Sequence, residues 1–484
     1  MSRATLPIMN AKRIMGSAAL LALAANLTVS TGTGTATAAT APKSFDFNGD
    51  GYNDMAIGLP QQAAPTGSAN TGMVAVLYGG PNGFSGQKLL RPPTDCSVPS
   101  VAGSPYACNF WGEQLAAGDV TKDGRTDLVA GSRWYSIVNS WSSAGIAQNK
   151  HYFTANGYNG WENRGLLRVG QFDNQPGADI VKPMRAYYFS GDGMIGWYNG
   201  AAEATYQALP PVANPSYASV VASASGDVNG DGKTELVYVN AGDTIDLDVM
   251  SPPHTSPLQN VVLASATPSS QSAPQKSSRL EMGDVNGDGN DDVVLVTPSL
   301  GSLQVWYGSP TGLAAAPGFS ANGLTWLNTG SLATDRGLSV GDVNGDGAAD
   351  IAIGVADATV SGKAGAGMVA VIPGSANGPV LTGTQYITQD SLGSTPAPAP
   401  PLVDPVSEQS KASDGFGYNV SIIDVTGDGK GEVIVGTPGK NSNVGMLAVL
   451  RGSATGVSAT GAQVVHPGGV GITSATRFGV FLLR

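Results

Sequence analysis

Apolar residues in this chain come in short runs, separated by clusters of Gly, Asn, Asp, Ser and Thr. Residues 420–423 (Val-Ser-Ile-Ile), 432–436 (Glu-Val-Ile-Val-Gly) and 446–450 (Met-Leu-Ala-Val-Leu) follow one another in this way, and 73–77, 293–296 and 368–372 are of the same kind. Such runs, rich in Val and Ile and bounded by turn formers, predict β-strands. Outside an apolar stretch near the N-terminus, no segment sustains the spacing of an amphipathic helix. The pattern reads as all-β, with many short strands.

One acidic nonapeptide recurs between these runs. Its intact copies are Asp46-Phe-Asn48-Gly-Asp50-Gly-Tyr52-Asn-Asp54, Asp119-Val-Thr121-Lys-Asp123-Gly-Arg125-Thr-Asp127 and Asp227-Val-Asn229-Gly-Asp231-Gly-Lys233-Thr-Glu235. Three more are Asp284-Val-Asn286-Gly-Asp288-Gly-Asn290-Asp-Asp292, Asp342-Val-Asn344-Gly-Asp346-Gly-Ala348-Ala-Asp350 and Asp424-Val-Thr426-Gly-Asp428-Gly-Lys430-Gly-Glu432. A degenerate copy, Gln171-Phe-Asp173-Asn-Gln175-Pro-Gly-Ala-Asp179, occupies the third place. The copies start 73, 52, 56, 57, 58 and 82 residues apart. A period of about 55 suits one four-stranded sheet with its connections and is too long for a ligand loop alone. Each well-kept unit has a strand entering the loop, a strand leaving it and a third strand further on. The third strand ends in a glycine turn such as 79–83, 308–312, 374–378 or 452–456.

The loops carry calcium chemistry. Ca²⁺ takes six to eight oxygens at about 2.3–2.6 Å and accepts carboxylates, amide oxygens and backbone carbonyls alike. Asp-x-Asn/Thr-x-Asp-Gly sets three oxygen side chains inside a tight turn. The carbonyl at position seven and the acid at position nine complete the ligand set. The acid at nine, followed by strand residues, separates these loops from EF-hands, whose closing Glu sits at twelve. Six ions are expected. Copy three, with Gln171 and Gln175 in place of acids, is expected to keep its shape without one.

The units resemble FG-GAP repeats, the blades of integrin α-subunit propellers and their bacterial relatives. Unit seven shows the whole pattern, with Phe416-Gly417, the acidic loop and Gly436-Thr-Pro438; unit two has Trp111-Gly112, and unit one has Gly58-Leu-Pro60. Units three to six lack the Phe-Gly pair. The resemblance implies an all-β, seven-bladed β-propeller over 39–484. Copy one begins too early to carry its own Phe-Gly strand, while Phe478-Gly479 near the end has no acidic loop after it. The first blade is therefore expected to take its inner strand from the C-terminal residues 475–484, because an open ring would leave sheet edges unpaired.

Charge refines this picture. The formal charge is −11, yet residues 1–38 carry +3, and 21 of the 36 acids lie in the seven copies. The acidity is mostly ligand charge, and no basic stripe offers a nucleic-acid surface. Residues 1–38 read as a secretory signal: Arg3, Lys12 and Arg13, an apolar run, then Ala36-Thr37-Ala38 as a cleavage site. No other run is long enough to span a membrane. Cys96 and Cys108, the only cysteines, read as a disulfide in an exported chain.

Catalytic signatures are missing: His151, His254 and His466 fit no metal or triad pattern, and there is neither a GxSxG elbow nor a P-loop. Between residues 111 and 197 aromatic residues concentrate around the degenerate copy. Trp134, Trp141, Trp161, Tyr187 and Trp197 there form a candidate ligand surface, the alternative being that large side chains fill divergent blades. The long segments before Cys108 and at 393–401 are further recognition candidates. The reading is a secreted, monomeric, calcium-binding adhesion module for an extracellular protein or glycan. The competing one is a secreted hydrolase or lyase acting on polysaccharide. Fold alone does not separate them.

Overall fold

The computed structural model describes residues 45–62, 71–93, 110–132, 135–152, 167–172, 176–184, 194–198, 205–208, 220–241, 244–250, 259–265, 278–327, 337–392, 409–472 and 477–484. They hold seven four-stranded antiparallel sheets. Six sheets follow chain order, from innermost strand outward, and their inner strands are Gln114–Gly118, Arg168–Gly170, Val220–Gly226, Arg279–Gly283, Leu338–Gly341 and Asn419–Ile423 (sheets 2 to 7). Sheet 1 is ordered Phe481–Leu482, Met55–Gly58, Val74–Tyr78, Gly86–Leu90. Its inner strand thus comes from the other end of the chain, pairing Ile57 with Leu482 and Gly58 with Phe481. Inner strands touch their neighbours all the way round, sheet 7 meeting sheet 1 and sheet 1 meeting sheet 2. The expected closure by the C-terminal strand is what the structure has.

Each acidic loop precedes its sheet's second strand. Those strands do not alternate between apolar and polar: 55–58, 127–131, 292–297, 350–355 and 432–437 are buried throughout. A sheet packed between two others is buried on both faces, which requires near-continuous apolar runs. The core follows this geometry. One cluster joins Phe47, Met55, Ile57 and Val76 of sheet 1 to Trp111 and Ile137 of sheet 2 and to Ile434, Leu447 and Phe478 on the sheet 7 side.

Aromatic-glycine pairs clamp three of the sheet boundaries. Trp111, Phe416 and Phe478 are fully buried, and each forms a bridge to a glycine of the preceding unit: Gly72, Gly367 and Gly445. The glycine after each aromatic lies against another on the neighbouring second strand. A Cβ on Gly58, Gly354 or Gly436 would stand 1.8, 1.9 or 2.0 Å from the carbonyl oxygen of Gly112, Gly417 or Gly479. No side chain fits at that contact, so the glycines are required by close approach. The boundaries so clamped are 1–2, 6–7 and 7–1.

The signal sequence reading of 1–38 and the Cys96–Cys108 pairing lie outside the described residues. No helix among the described residues is long and apolar enough to cross a membrane.

Candidate functional site: the acidic loops

The loops are folded by their own first carboxylate. Asp46 accepts the backbone N–H groups of Gly49, Asp50 and Gly51 at 2.7, 3.1 and 2.8 Å. Asp50 in turn accepts the N–H of Tyr52 at 3.0 Å. The loops at Asp227 and Asp424 repeat the position-one bonds in full, while Asp284 accepts from Asp288 and Gly289 and Asp342 from Gly345 and Gly347. At position seven, Arg125, Lys233, Asn290, Ala348 and Lys430 all donate their N–H to the acid at position five. Glycines at positions four and six, such as Gly49 and Gly51 at φ +79° and +92°, take the left-handed turn.

The position-nine acid forms the inner wall. Asp54 accepts Phe47 N–H at 2.9 Å with one oxygen and Gly79 N–H at 3.0 Å with the other. Asp292 does the same with Val285 and Gly308, and Asp350 with Val343 and Gly374. Asp127, Glu235 and Glu432 accept from Thr121, Val228 and Val425. Burial pushes the carboxyl groups of Asp54, Asp292 and Glu432 up to about 7 and that of Asp350 to about 6. In each of these four copies the acids at positions one and five add to that rise, while backbone donors oppose it.

Position three bridges the group. Asn229 and Thr426 donate to the position-nine acids Glu235 and Glu432 at 3.2 and 3.3 Å, and Thr121 donates to Asp127 at 3.3 Å. Asn48 and Asn286 donate instead to Asp50 and Asp288. Positions one, three, five and nine therefore share one concavity. Among the described residues no three acidic, His or Cys side chains stand together as a ready-made metal cage. Amide and hydroxyl hydrogens lie between the carboxylates instead. An all-oxygen set with crowded negative charge fits a hard divalent cation once the position-three oxygen turns inward. In two copies a lysine competes: Lys233 and Lys430 stand 3.7 and 3.9 Å from Asp231 and Asp428.

A second feature was not legible in side-chain identity. The position-one carbonyl of one loop accepts the position-eight N–H of the next: Asp119 from Ala178, Gln171 from Thr234, Asp227 from Asp291, Asp284 from Ala349 and Asp342 from Gly431, at 2.7–2.9 Å. Between sheets 7 and 1 the Asn53 amide donates to Asp424 O at 3.0 Å. The glycine turns join in, because Gly80, Ser309 and Ser375 donate to the carbonyls of Val425, Val228 and Val285 in the neighbouring loop. The loops are thus latched to one another around one face. The degenerate copy keeps this latch. Asp179 still accepts Phe172 N–H at 3.1 Å, and Gln171 O still accepts Thr234 N–H at 2.9 Å.

The aromatic surface needs one correction. Trp141 is buried, stacks on Phe47 with centroids 5.3 Å apart and donates its indole N–H to Tyr78 OH at 3.2 Å. It packs between sheets 1 and 2 and presents no ligand surface, because its strand faces the neighbouring sheet. Trp134, Trp161 and Tyr187 lie outside the described residues, as does the side chain of Trp197.

Comparison with known families now has a geometry to rest on. Residues 284–353 match an FG-GAP-like repeat, and residues 336–372 and 416–450 match the FG-GAP repeat. The chain carries FG-GAP repeats over these residues, and its ring of four-stranded sheets is a β-propeller. The matches cover the units whose acidic loops and buried second strands are best kept, and 416–450 begins on the Phe416-Gly417 clamp. No curated protein matches by sequence. Among solved structures, an Agrocybe aegerita lectin, described for specific recognition of non-reducing terminal N-acetylglucosamine, is 12% identical with a TM-score of 0.50, covering 90% of this chain and 96% of its own. The Dos1 propeller is 11% identical with a TM-score of 0.38, covering 85% and 76%. The Myceliophteria thermophila Cps50 (Swd1) β-propeller domain is 10% identical with a TM-score of 0.38, covering 66% and 80%. At these identities the likeness is one of fold.

Proposed function

We propose that this FG-GAP propeller is a secreted, calcium-stabilised binding module for an extracellular protein or glycan, with seven blades and six bound ions. The observation that carries the reading is the shared concavity of positions one, three, five and nine in the intact loops. There a buried position-nine acid lies near enough to the acids at one and five for their negative charge to raise its carboxyl further. Asp46, Asn48, Asp50 and Asp54, with the carbonyl of Tyr52, would hold one ion, and the corresponding positions of the other five copies the rest. Calcium would supply the charge that lets three acids converge on a turn, and the protein would supply a rigid, latched frame.

In this reading the ions are structural, and ligand recognition belongs to the surfaces the frame presents. The N-terminal segment would direct export, and Cys96 and Cys108 would pair outside the cell. The test is a melting curve with calcium and after chelation, together with a glycan and extracellular-protein array. A large calcium-dependent rise in melting temperature and a specific hit support the reading. A melt indifferent to calcium contradicts its metal half, and turnover of a polysaccharide contradicts its binding half.

A further inference from the structure

The face opposite the acidic loops carries a two-chambered cavity. One chamber of about 250 Å³ is lined by residues 354–357, at the end of the second strand of sheet 6, by Pro438 and Asn443 in the connection after the second strand of sheet 7 and by Ser413 and Tyr418 before sheet 7. The other, of about 150 Å³, lies between Tyr418, Arg477 and Gly58–Gln61 of sheet 1. Every second strand leaves an acidic loop and runs away from it, so these strand ends mark the far face. Tyr418 and Arg477 line both chambers.

Three observations single the place out. First, Arg477 is exposed, and its guanidinium lies over the Tyr418 ring, 5.6 Å from the centroid. Among the described residues it has no carboxylate partner. Second, the acids of the lining are not both available to Arg477. Asp414 is neutralised by the buried Lys440 at 3.2 Å. Arg279 is buried and donates to Gly337 O and Gly354 O, so Arg477 is the exposed cation that faces the half-buried Asp357. Third, strain collects at the cavity. Ser413, Asn443 and Arg477 line it at φ of +64°, +70° and +62°, and Asn441 and Ser442 extend Asn443 into a left-handed turn at +51° and +60°. Non-glycine residues hold such angles where the surroundings impose them, and they gather at ligand clamps.

We infer that this cavity binds an anionic saccharide, its carboxylate or sulfate paired with Arg477 and its ring hydroxyls taken by Asp357 and Asn443. The inference deepens the binding-module reading and rests on it, but it is independent of calcium. A guanidinium with free N–H donors, backed by an aromatic ring, suits a planar carboxylate or a sulfate. Two adjoining chambers suit consecutive sugar units. A peptide is less well matched, because extended peptides add to a free strand edge. The walls here are strand ends and turns, and the outer edge strands of the sheets lie elsewhere.

The test is calorimetric titration of the full, calcium-loaded chain with a short oligogalacturonate, a sulfated oligosaccharide, a neutral oligogalactose and a polyglutamate peptide. Arg477→Asn is the main variant, since Asn tolerates the left-handed backbone, and Asp357→Asn is the second. The expected result is binding of the uronate or the sulfated sugar, with the stronger of the two naming the anion. It should weaken at least about tenfold in Arg477→Asn, with the melting temperature unchanged. Anionic-sugar binding unaltered in both variants, or binding of polyglutamate alone, would overturn the inference. A neutral sugar or a protein bound equally by wild type and Arg477→Asn would also overturn it while leaving the binding-module reading intact. No ligand in any arm or on the array would remove both.

Discussion

The third and fifth acidic loops show what the motif is for. Loop five, 284–292, has acids at positions one, five and nine, and its neighbours are latched through main-chain hydrogen bonds. Loop three, 171–179, has lost the acids at one and five, yet Asp179 still accepts Phe172 N–H and Gln171 O still accepts from Thr234. The motif therefore contains two devices that can be separated. The position-nine acid ties the loop to its own sheet, and the position-one carbonyl holds adjacent sheets together. The side chains at one, three and five surround the concavity beside the position-nine acid. In loop three the second device is missing and the first is in place.

Removing ring closure should have the largest effect on that comparison, because the latches act only between neighbouring sheets. Deleting residues 477–484 takes away the inner strand of sheet 1 and the Phe478-Gly479 clamp, and the melting temperature should fall by about 10 °C or more, with aggregation through the bared edge. An unchanged melt would mean the latches alone close the ring.

Next in size is calcium removal. Chelation should lower the melting temperature by about 10 °C, since several sites each contribute through mass action.

Smaller and more discriminating is a pair of variants. Asp292→Asn should cost about 1–3 kcal/mol even in chelated protein, because a buried N–H of Val285 or Gly308 loses its acceptor. Asp288→Asn should cost little without calcium and act only when calcium is present. Equal effects in both conditions would merge the two devices into one. Asp179→Asn in loop three should behave like the first variant and be insensitive to calcium.

Gly417→Ala sharpens a different contrast, between clamped and unclamped boundaries. Its added methyl would lie 2.4 Å from Met368 O, at a backbone φ of +86°. A loss of about 3 kcal/mol is expected from overpacking and backbone strain. The same change at Gly468, where no atom lies within 4 Å of a new Cβ, should be close to neutral.

Much of this was readable in the residues. Aspartates at odd positions with glycines at four and six forced the turn, and the structure gives those glycines positive φ. The unmatched Phe478-Gly479 pointed to the closing strand. The turn glycines Gly83, Gly312, Gly378 and Gly456 likewise take positive φ. The inter-loop latch was not readable, because backbone N–H and carbonyl groups are common to every residue type. Only the strict closeness at Gly79, Gly308 and Gly374 hints at it, where a Cβ would collide with two loop carbonyls. Trp141 takes the packed alternative of the two its sequence left open, and the choice was unreadable for a related reason. A tryptophan in a run of aromatics says nothing about which sheet face it occupies, and only the neighbouring Phe47 and Tyr78 decide that it is packed. The cavity at Arg477 was silent too, since its residues come from four units of the chain and meet only when the ring closes.

The central claim is that the intact acidic loops hold calcium and the degenerate one does not. Counting bound calcium on the purified full chain, by elemental analysis alongside calorimetric titration, tests this most directly. The account predicts six ions in the wild type, five after a combined Asp284→Asn and Asp288→Asn change, and six still after Gln171→Ala. A count near zero, or one that the loop-five change leaves untouched, would contradict it.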